Sequence, residues 1–203
     1  MTFKLNTKHT VFIVKAFIHS VSLGLLCNLY WSAITDRLGA DPVEAVLNFT
    51  GIGAFNLLIL SLFISPSARF FKLSWLLKFR RLLGLYSFAY ALFHLMSFLA
   101  FEVQFDFQLF INEIIKRPYI TVGMLAFVTL LALAITSMTV LKRKMGGAWQ
   151  KLHHMVYAAL LLVGVHFYWS VKSDITEPSI YLIVSIILLL LRRDKFKRWF
   201  KKH

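Results

Sequence analysis

Five histidines lie within the long apolar runs of this 203-residue chain: His19, His94, His153, His154 and His166. An ionisable side chain among lipid tails is costly, so each imidazole is a functional candidate by default. The same runs hold no Asp or Glu. That counts against proton-coupled transport on buried carboxylates, and no acidic metal cage can be assembled. What remains is the chemistry of neutral imidazole: hydrogen bonding, and ligation of a metal such as iron.

Depth separates these histidines. At ~1.5 Å rise per residue, His94 lies about 20 Å beyond Arg81 and His166 about 22 Å beyond Lys151. On the charge pattern given below, their two helices run in the same direction, so the imidazoles sit at nearly equal depth in the outer half of a bilayer. Such a pair can supply both axial ligands of a haem b, with the porphyrin in the apolar space between helices. His19, about 16 Å in from Lys8, can line the same layer.

His153 and His154 lie within a turn of the opposite edge, where the third run offers only Arg80 and Arg81. A second haem there needs a ligand from another helix or is five-coordinate. His153 and His166 also stand about 140° apart around a regular helix, and a distortion near Gly164 would be required to align them. One haem is therefore favoured over two, with His153 a candidate for the second site. Arg80 and Arg81 suit haem propionates, a flavin phosphate or a quinone head group.

Plainer readings stand beside these. A membrane histidine is often only an interhelical hydrogen-bond partner, and that reading applies to His19 and His154. Tyr86, Tyr90, Trp149, Tyr157 and Trp169 read as interface anchors or packing. Gly51-x-Gly53 opens an apolar run with no preceding strand, so it carries no nucleotide signal. With no phosphate loop on a strand–turn–helix unit, a redox chain of this kind takes electrons from membrane quinol or a separate flavin reductase.

The elements that must position these groups are apolar helices. The chain is 59% hydrophobic and 16% charged, whereas soluble domains carry about a quarter charged residues. Apolar runs cover approximately 10–31, 46–65, 82–101, 119–141, 152–170 and 179–191, the last continuing into the interface through Phe196 and Trp199. The first run is too long for a cleavable signal. Pro42, Pro66, Pro118 and Pro178 lie outside the runs or at their ends, and Gly146-Gly147 marks the fourth loop. No internal repeat is evident.

Charge sets the orientation. If the loops alternate sides, one side holds the N-terminus (Lys4, Lys8, Lys15), the second loop (Arg69 to Arg81), the fourth loop (Lys142 to Lys151) and the tail, with 19 of the 23 basic residues. The other side carries Arg37, Lys116, Arg117 and Lys172 with eight of the nine acids. Short Lys- and Arg-rich loops stay cytoplasmic. The expectation is one all-α domain over 1–203, a bundle of six transmembrane helices with both termini cytoplasmic. The net charge of +14 is thereby explained by membrane topology, not by nucleic acid. The single cysteine, Cys27, allows no intramolecular disulfide.

The chain resembles the MsrQ (YedZ) family, haem-binding membrane subunits of a bacterial methionine sulfoxide reductase system. The likeness rests on Leu38-Gly39-Ala40-Asp41-Pro42-Val43, Phe49-Thr50-Gly51, Pro66 with Ala68-Arg69, and Arg80-Arg81-Leu82-Leu83-Gly84. It continues through His94, Arg117-Pro118-Tyr119, Thr136-Ser137, Trp149-Gln150-Lys151-Leu152-His153, and His166-Phe167-Tyr168-Trp169-Ser170-Val171-Lys172. It implies kinship with ferric-reductase-like membrane domains that hold haem between helices 3 and 5, and family histidines that map onto His94, His153 and His166. It also implies FMN as a further cofactor, and a bacterial inner-membrane location.

By the same resemblance, the chain is a non-catalytic electron-transfer subunit. It would pass electrons from the quinone pool or a flavin reductase to a periplasmic molybdopterin reductase (MsrP) that repairs oxidised proteins. The acidic outer loops, with Asp41-Pro42 and Asp174, would help dock that partner. The alternative is a cofactor-free transporter or membrane scaffold.

Overall fold

The computed structural model describes residues 7–192, and every regular element among them is helical. Lys4, Phe196, Trp199 and the basic residues beyond Arg192 lie outside the described residues. Among the described residues nine α-helices run in order: α1 (Thr7–Ile34), α2 (Pro42–Phe70), α3 (Arg80–Ser97), α4 (Phe107–Lys116), α5 (Pro118–Ile135), α6 (Thr139–Met145), α7 (Gly147–His153), α8 (Val156–Ser170) and α9 (Thr176–Leu190). A 3-10 segment, Ser74–Phe79, leads into α3, and a π-helical turn, Phe98–Glu102, ends it. Five helical stretches among the described residues are long and apolar enough to cross a membrane: Thr7–Ile34, Pro42–Phe70, Ser74–Glu102, Pro118–Ile135 and Gly147–Ser170. α9 is apolar but shorter, at 15 residues.

Local chemistry explains the boundaries. Asp41 caps α2, its Oδ1 accepting from Glu44 N at 2.8 Å, and Pro42 occupies the first turn, where its missing N–H costs nothing. Pro118 opens α5 in the same way. α5 stops at Ile135, short of the expected 141. There the Thr136 hydroxyl donates to the Ala132 carbonyl (2.6 Å) and Ser137 to Leu133 (2.8 Å), satisfying the last turn from its own side chains. Gly146, at φ +51°, makes the reversal between α6 and α7 that a side chain would resist.

Three expectations are corrected. Pro66 lies inside α2, which continues to Phe70; the ring removes only one backbone donor, and the Ser67 hydroxyl caps the nearby Phe63 carbonyl at 2.9 Å. The fifth run is interrupted at His154-Met155, not distorted at Gly164. Here Met155 N bonds Leu152 O and Tyr157 N bonds His154 O, both three residues back. Such 3-10 tightening advances the chain by ~120° per residue, so a few residues of it turn His153 and His166 toward a common face, from about 140° to roughly 80° apart. Finally, α4 forms in the loop before α5, from ten residues between Asp106 and Arg117 that lie outside the apolar runs. Glu113 of α4 pairs with Arg117 at 2.7 Å.

The chain divides into two compact units, Met1–Asp106 and Phe107–His203. In the first, α2 and α3 pack along their length with α1 against them, around Leu26, Ala54, Tyr86 and Tyr90. In the second, α5 and α8 form the principal pair, and α9 packs on α8.

Candidate functional site

In the first unit, α3 carries His94 against α2. Its Nδ1 lies 3.0 Å from the Leu47 carbonyl and 3.4 Å from the Thr50 hydroxyl. Thr50 gives its own proton to the Val46 carbonyl at 2.7 Å, and a carbonyl can only accept, so His94 Nδ1 carries hydrogen and donates to Leu47. The lone pair is then on Nε2, the nitrogen that a metal-ligating histidine presents when a carbonyl fixes its tautomer. The ring reaches α2 because residue 51 is glycine: a Cβ there would sit 3.1 Å from Nδ1 and 3.2 Å from Cε1. Gly53 similarly admits the Tyr90 ring, where a Cβ would lie at 2.6 Å.

The second unit repeats this construction. His166 on α8 donates from Nδ1 to the Tyr119 carbonyl of α5 at 2.7 Å, and a Cβ on Gly123 would sit 2.7 Å from that nitrogen. Every part of the second set follows its counterpart by 72 residues: Leu47 and Tyr119, Gly51 and Gly123, His94 and His166. The same shift overlays Gly51-x-x-Ala54-Phe55-x-x-Leu58 on Gly123-x-x-Ala126-Phe127-x-x-Leu130. Ala54, Leu58, Ala126 and Leu130 are all buried. It also overlays Ser87 on Ala159, two small residues with no exposed surface. A short internal repeat is thus present where none was expected; it rests on five positions scattered through helices of otherwise different sequence.

His153 is built differently. It ends α7, stacks on Trp149 with ring centroids 4.0 Å apart, and places Nε2 3.1 Å from the Thr136 hydroxyl. Because Thr136 donates to Ala132, His153 Nε2 is the donor, the reverse of the His94 and His166 tautomer. Trp149 Nε1 donates to the Thr136 carbonyl at 2.8 Å, and Lys142 Nζ lies over its ring at 4.6 Å. The Thr136-Ser137 and Trp149-to-His153 motifs therefore form one cluster. His154 accepts from Gln150 Nε2 at 2.9 Å. Arg80 and Arg81 open α3 in the first unit, Arg80 partly buried and Arg81 exposed. Arg192, read from sequence as part of a basic tail, is buried and donates to the Tyr157 hydroxyl at 2.8 Å.

His19 is not level with His94. Its Nδ1 lies 2.6 Å from the hydroxyl of Tyr86, eight residues before His94 on α3 and therefore about 12 Å away along that helix. Two further contacts tie α1 to α3: Tyr90 donates to the Ser22 carbonyl, and Tyr30 bonds Ser97, both at 2.8 Å. Hydrogen bonds between membrane helices are worth about 0.6–2 kcal/mol each, so this seam suffices to hold α1 in place.

Each unit thus presents one imidazole with its lone pair on Nε2, the nitrogen by which a histidine binds a metal such as haem iron. Residues 50–164 match the family "Ferric reductase like transmembrane component", a span that contains His94 and His153 and stops two residues before His166. The chain is 40% identical over 189 residues to the "Protein-methionine-sulfoxide reductase heme-binding subunit MsrQ" of Klebsiella pneumoniae (strain 342), covering 93% of this chain and 95% of that one. It is 40% identical over 197 residues to the MsrQ of Salmonella arizonae (97% and 98% covered). With the MsrQ of Yersinia pestis (strain Pestoides F), identity is 39% over 209 residues (98% and 100% covered).

Proposed function

The chain belongs to the MsrQ family of ferric-reductase-like transmembrane proteins, and on that footing we propose that it is the b-type cytochrome subunit of a methionine sulfoxide reductase system. One observation carries the reading most strongly: two histidines, each locked by a backbone carbonyl in the tautomer that offers Nε2, built in the same register 72 residues apart (His94, His166). In this reading His94 and His166 are the axial ligands of a haem b, which supplies reversible one-electron chemistry. The carbonyls of Leu47 and Tyr119 fix each ring's orientation and raise its basicity, as partners behind a ligand do.

The arrangement in the bacterial inner membrane completes the proposal. Six spans, with α9 as the sixth, and both termini in the cytoplasm follow from the separation of basic and acidic loops. His153, with Arg80 and Arg81, serves a second haem or a donor site for quinol, or a flavin such as FMN. Electrons leave on the acidic side, to a periplasmic molybdopterin reductase of the MsrP type. The Asp41 and Asp174 loops favour docking of a basic surface there, although Asp41 also caps α2 and Asp174 accepts from Thr176 N.

Reconstitution tests this reading. Protein in liposomes is reduced anaerobically with a quinol, then mixed with the molybdopterin reductase and a methionine-sulfoxide protein. Reoxidation of the haem band that needs all three components is expected. A haem band that stays reduced would contradict the role. A colourless protein purified with ample haem would favour a cofactor-free transporter or scaffold.

A further inference from the structure

His19 faces outward from α1 in the apolar part of the span, yet it is tied inward to a buried tyrosine. Its ring meets that of Tyr86 edge-on, with centroids 5.4 Å apart. As a stability device alone this is a poor choice, because a polar ring exposed to lipid loses hydration that one interhelical bond does not restore. Nδ1 is committed to Tyr86, so Nε2 is the nitrogen available to a ligand arriving from the bilayer.

The position restricts what that ligand is. Lys15 stands one turn nearer the basic end of α1 on the same face, and Tyr86 lies about 9 Å along α3 from Arg80. Lipid phosphates are met first by Lys15, whose long stem reaches the interface. A turn deeper, the ligand must partition into lipid and still carry a hydrogen-bonding oxygen.

The pair is also amphoteric. A phenol hydroxyl can donate or accept, so two arrangements are available without moving a heavy atom. When Tyr86 donates to Nδ1, Nε2 bears hydrogen and can donate to a carbonyl. When Nδ1 donates to Tyr86, Nε2 has the lone pair and can accept from a hydroxyl. A quinone presents the first kind of oxygen and a quinol the second.

We propose that His19, positioned by Tyr86, holds the ring oxygen of a quinone or quinol that enters from the bilayer at the α1–α3 seam. The inference rests on quinol as the electron donor in the reading above and gives that donor a site. His19 binds the ligand; Tyr86 is a positioning residue, acting through the imidazole.

The test uses full-length protein in nanodiscs and decyl-ubiquinone as probe, with affinity read from quenching of tryptophan fluorescence and haem content read from the visible spectrum. The parent is expected to bind saturably. His19→Phe should weaken binding by about tenfold or more, the loss of one well-placed hydrogen bond. His19→Gln, which can still donate and accept, should recover part of it. Tyr86→Phe should weaken binding less, and a change at the exposed neighbour Phe17→Leu should leave it unchanged. Unchanged affinity in His19→Phe, with the protein folded, would overturn the site, as would a haem-containing parent that takes up no quinone. A parent that lacks haem but binds quinone through His19 would support the site while removing the cytochrome reading.

Discussion

The two units solve one problem with the same parts and different surroundings. In each, a glycine admits an imidazole onto the preceding long helix, where a backbone carbonyl takes the Nδ1 hydrogen. The first unit adds Thr50 beside the ring, and α1 is fastened to α3 by tyrosines. The second has Val122 where the first has Thr50, a shorter bond to the carbonyl, and tighter packing over Gly123. What recurs is the minimum for presenting Nε2; what varies is support. The carbonyl and the glycine are thus what holds each imidazole in place, and the threonine is local packing.

The difference in tightness predicts unequal responses to one methyl group. Gly123→Ala puts a carbon where Nδ1 of His166 stands at 2.7 Å, and the ring cannot move without losing Tyr119. Disturbing the groups behind a metal ligand typically lowers metal affinity 10–100-fold, and haem retention by this variant should fall in that range. Gly51→Ala meets His94 at 3.1 Å, a contact that a small tilt relieves, so its loss should be less than about tenfold. Equal losses in a haem-titration assay would mean that the two sites are not built to different tolerances.

A smaller effect is expected at Thr50. Its hydroxyl bonds a carbonyl of its own helix, and the second unit does without it, so Thr50→Val should leave the spectrum intact and cost below about 1 kcal/mol in thermal unfolding. A spectral change would give the first site a hydroxyl-dependent function absent from the second.

The smallest concerns α9, found in the second unit alone. Hydrogen bonds from Thr176 hold the exposed Asp174 carboxyl below its ordinary value. A depressed carboxyl stabilises the fold above its unfolded pKa and loses that contribution as pH falls through the folded one. The melting difference between parent and Asp174→Asn should therefore be flat at neutral and mildly acidic pH and fade only below the ordinary Asp value of 3.8. A difference that changes between pH 8 and 6 would point to another group.

Much of this was legible in the sequence because lipid leaves few choices. Apolar runs bounded by Pro and by basic residues located the helices that hold His94 and His166, to within a few positions. Sequence depth, however, put His19 level with His94, because counting from Lys8 ignores how α1 slides against α3; the Tyr86 bond sets that register. The break at His154-Met155 was missed because its residues are ordinary helix formers and the change lies in backbone bonding. Leu47 and Tyr119 were invisible as partners, since a carbonyl has no residue type. Only Gly-x-x-Ala-Phe-x-x-Leu, repeated after 72 residues from Gly51 to Gly123, could have announced them.

The central claim, that His94 and His166 offer Nε2 to the iron of a haem b, is tested most directly by low-temperature electron paramagnetic resonance and reduced-minus-oxidised visible spectra. Detergent-purified parent is recorded beside His94→Ala and His166→Ala. The account predicts a low-spin, six-coordinate b-type signal in the parent that each variant loses or converts to high spin, with reduced thermal stability because a cofactor bound only to the native state stabilises it. A parent that stays colourless with haem supplied, or a low-spin signal unchanged in either variant, would contradict it.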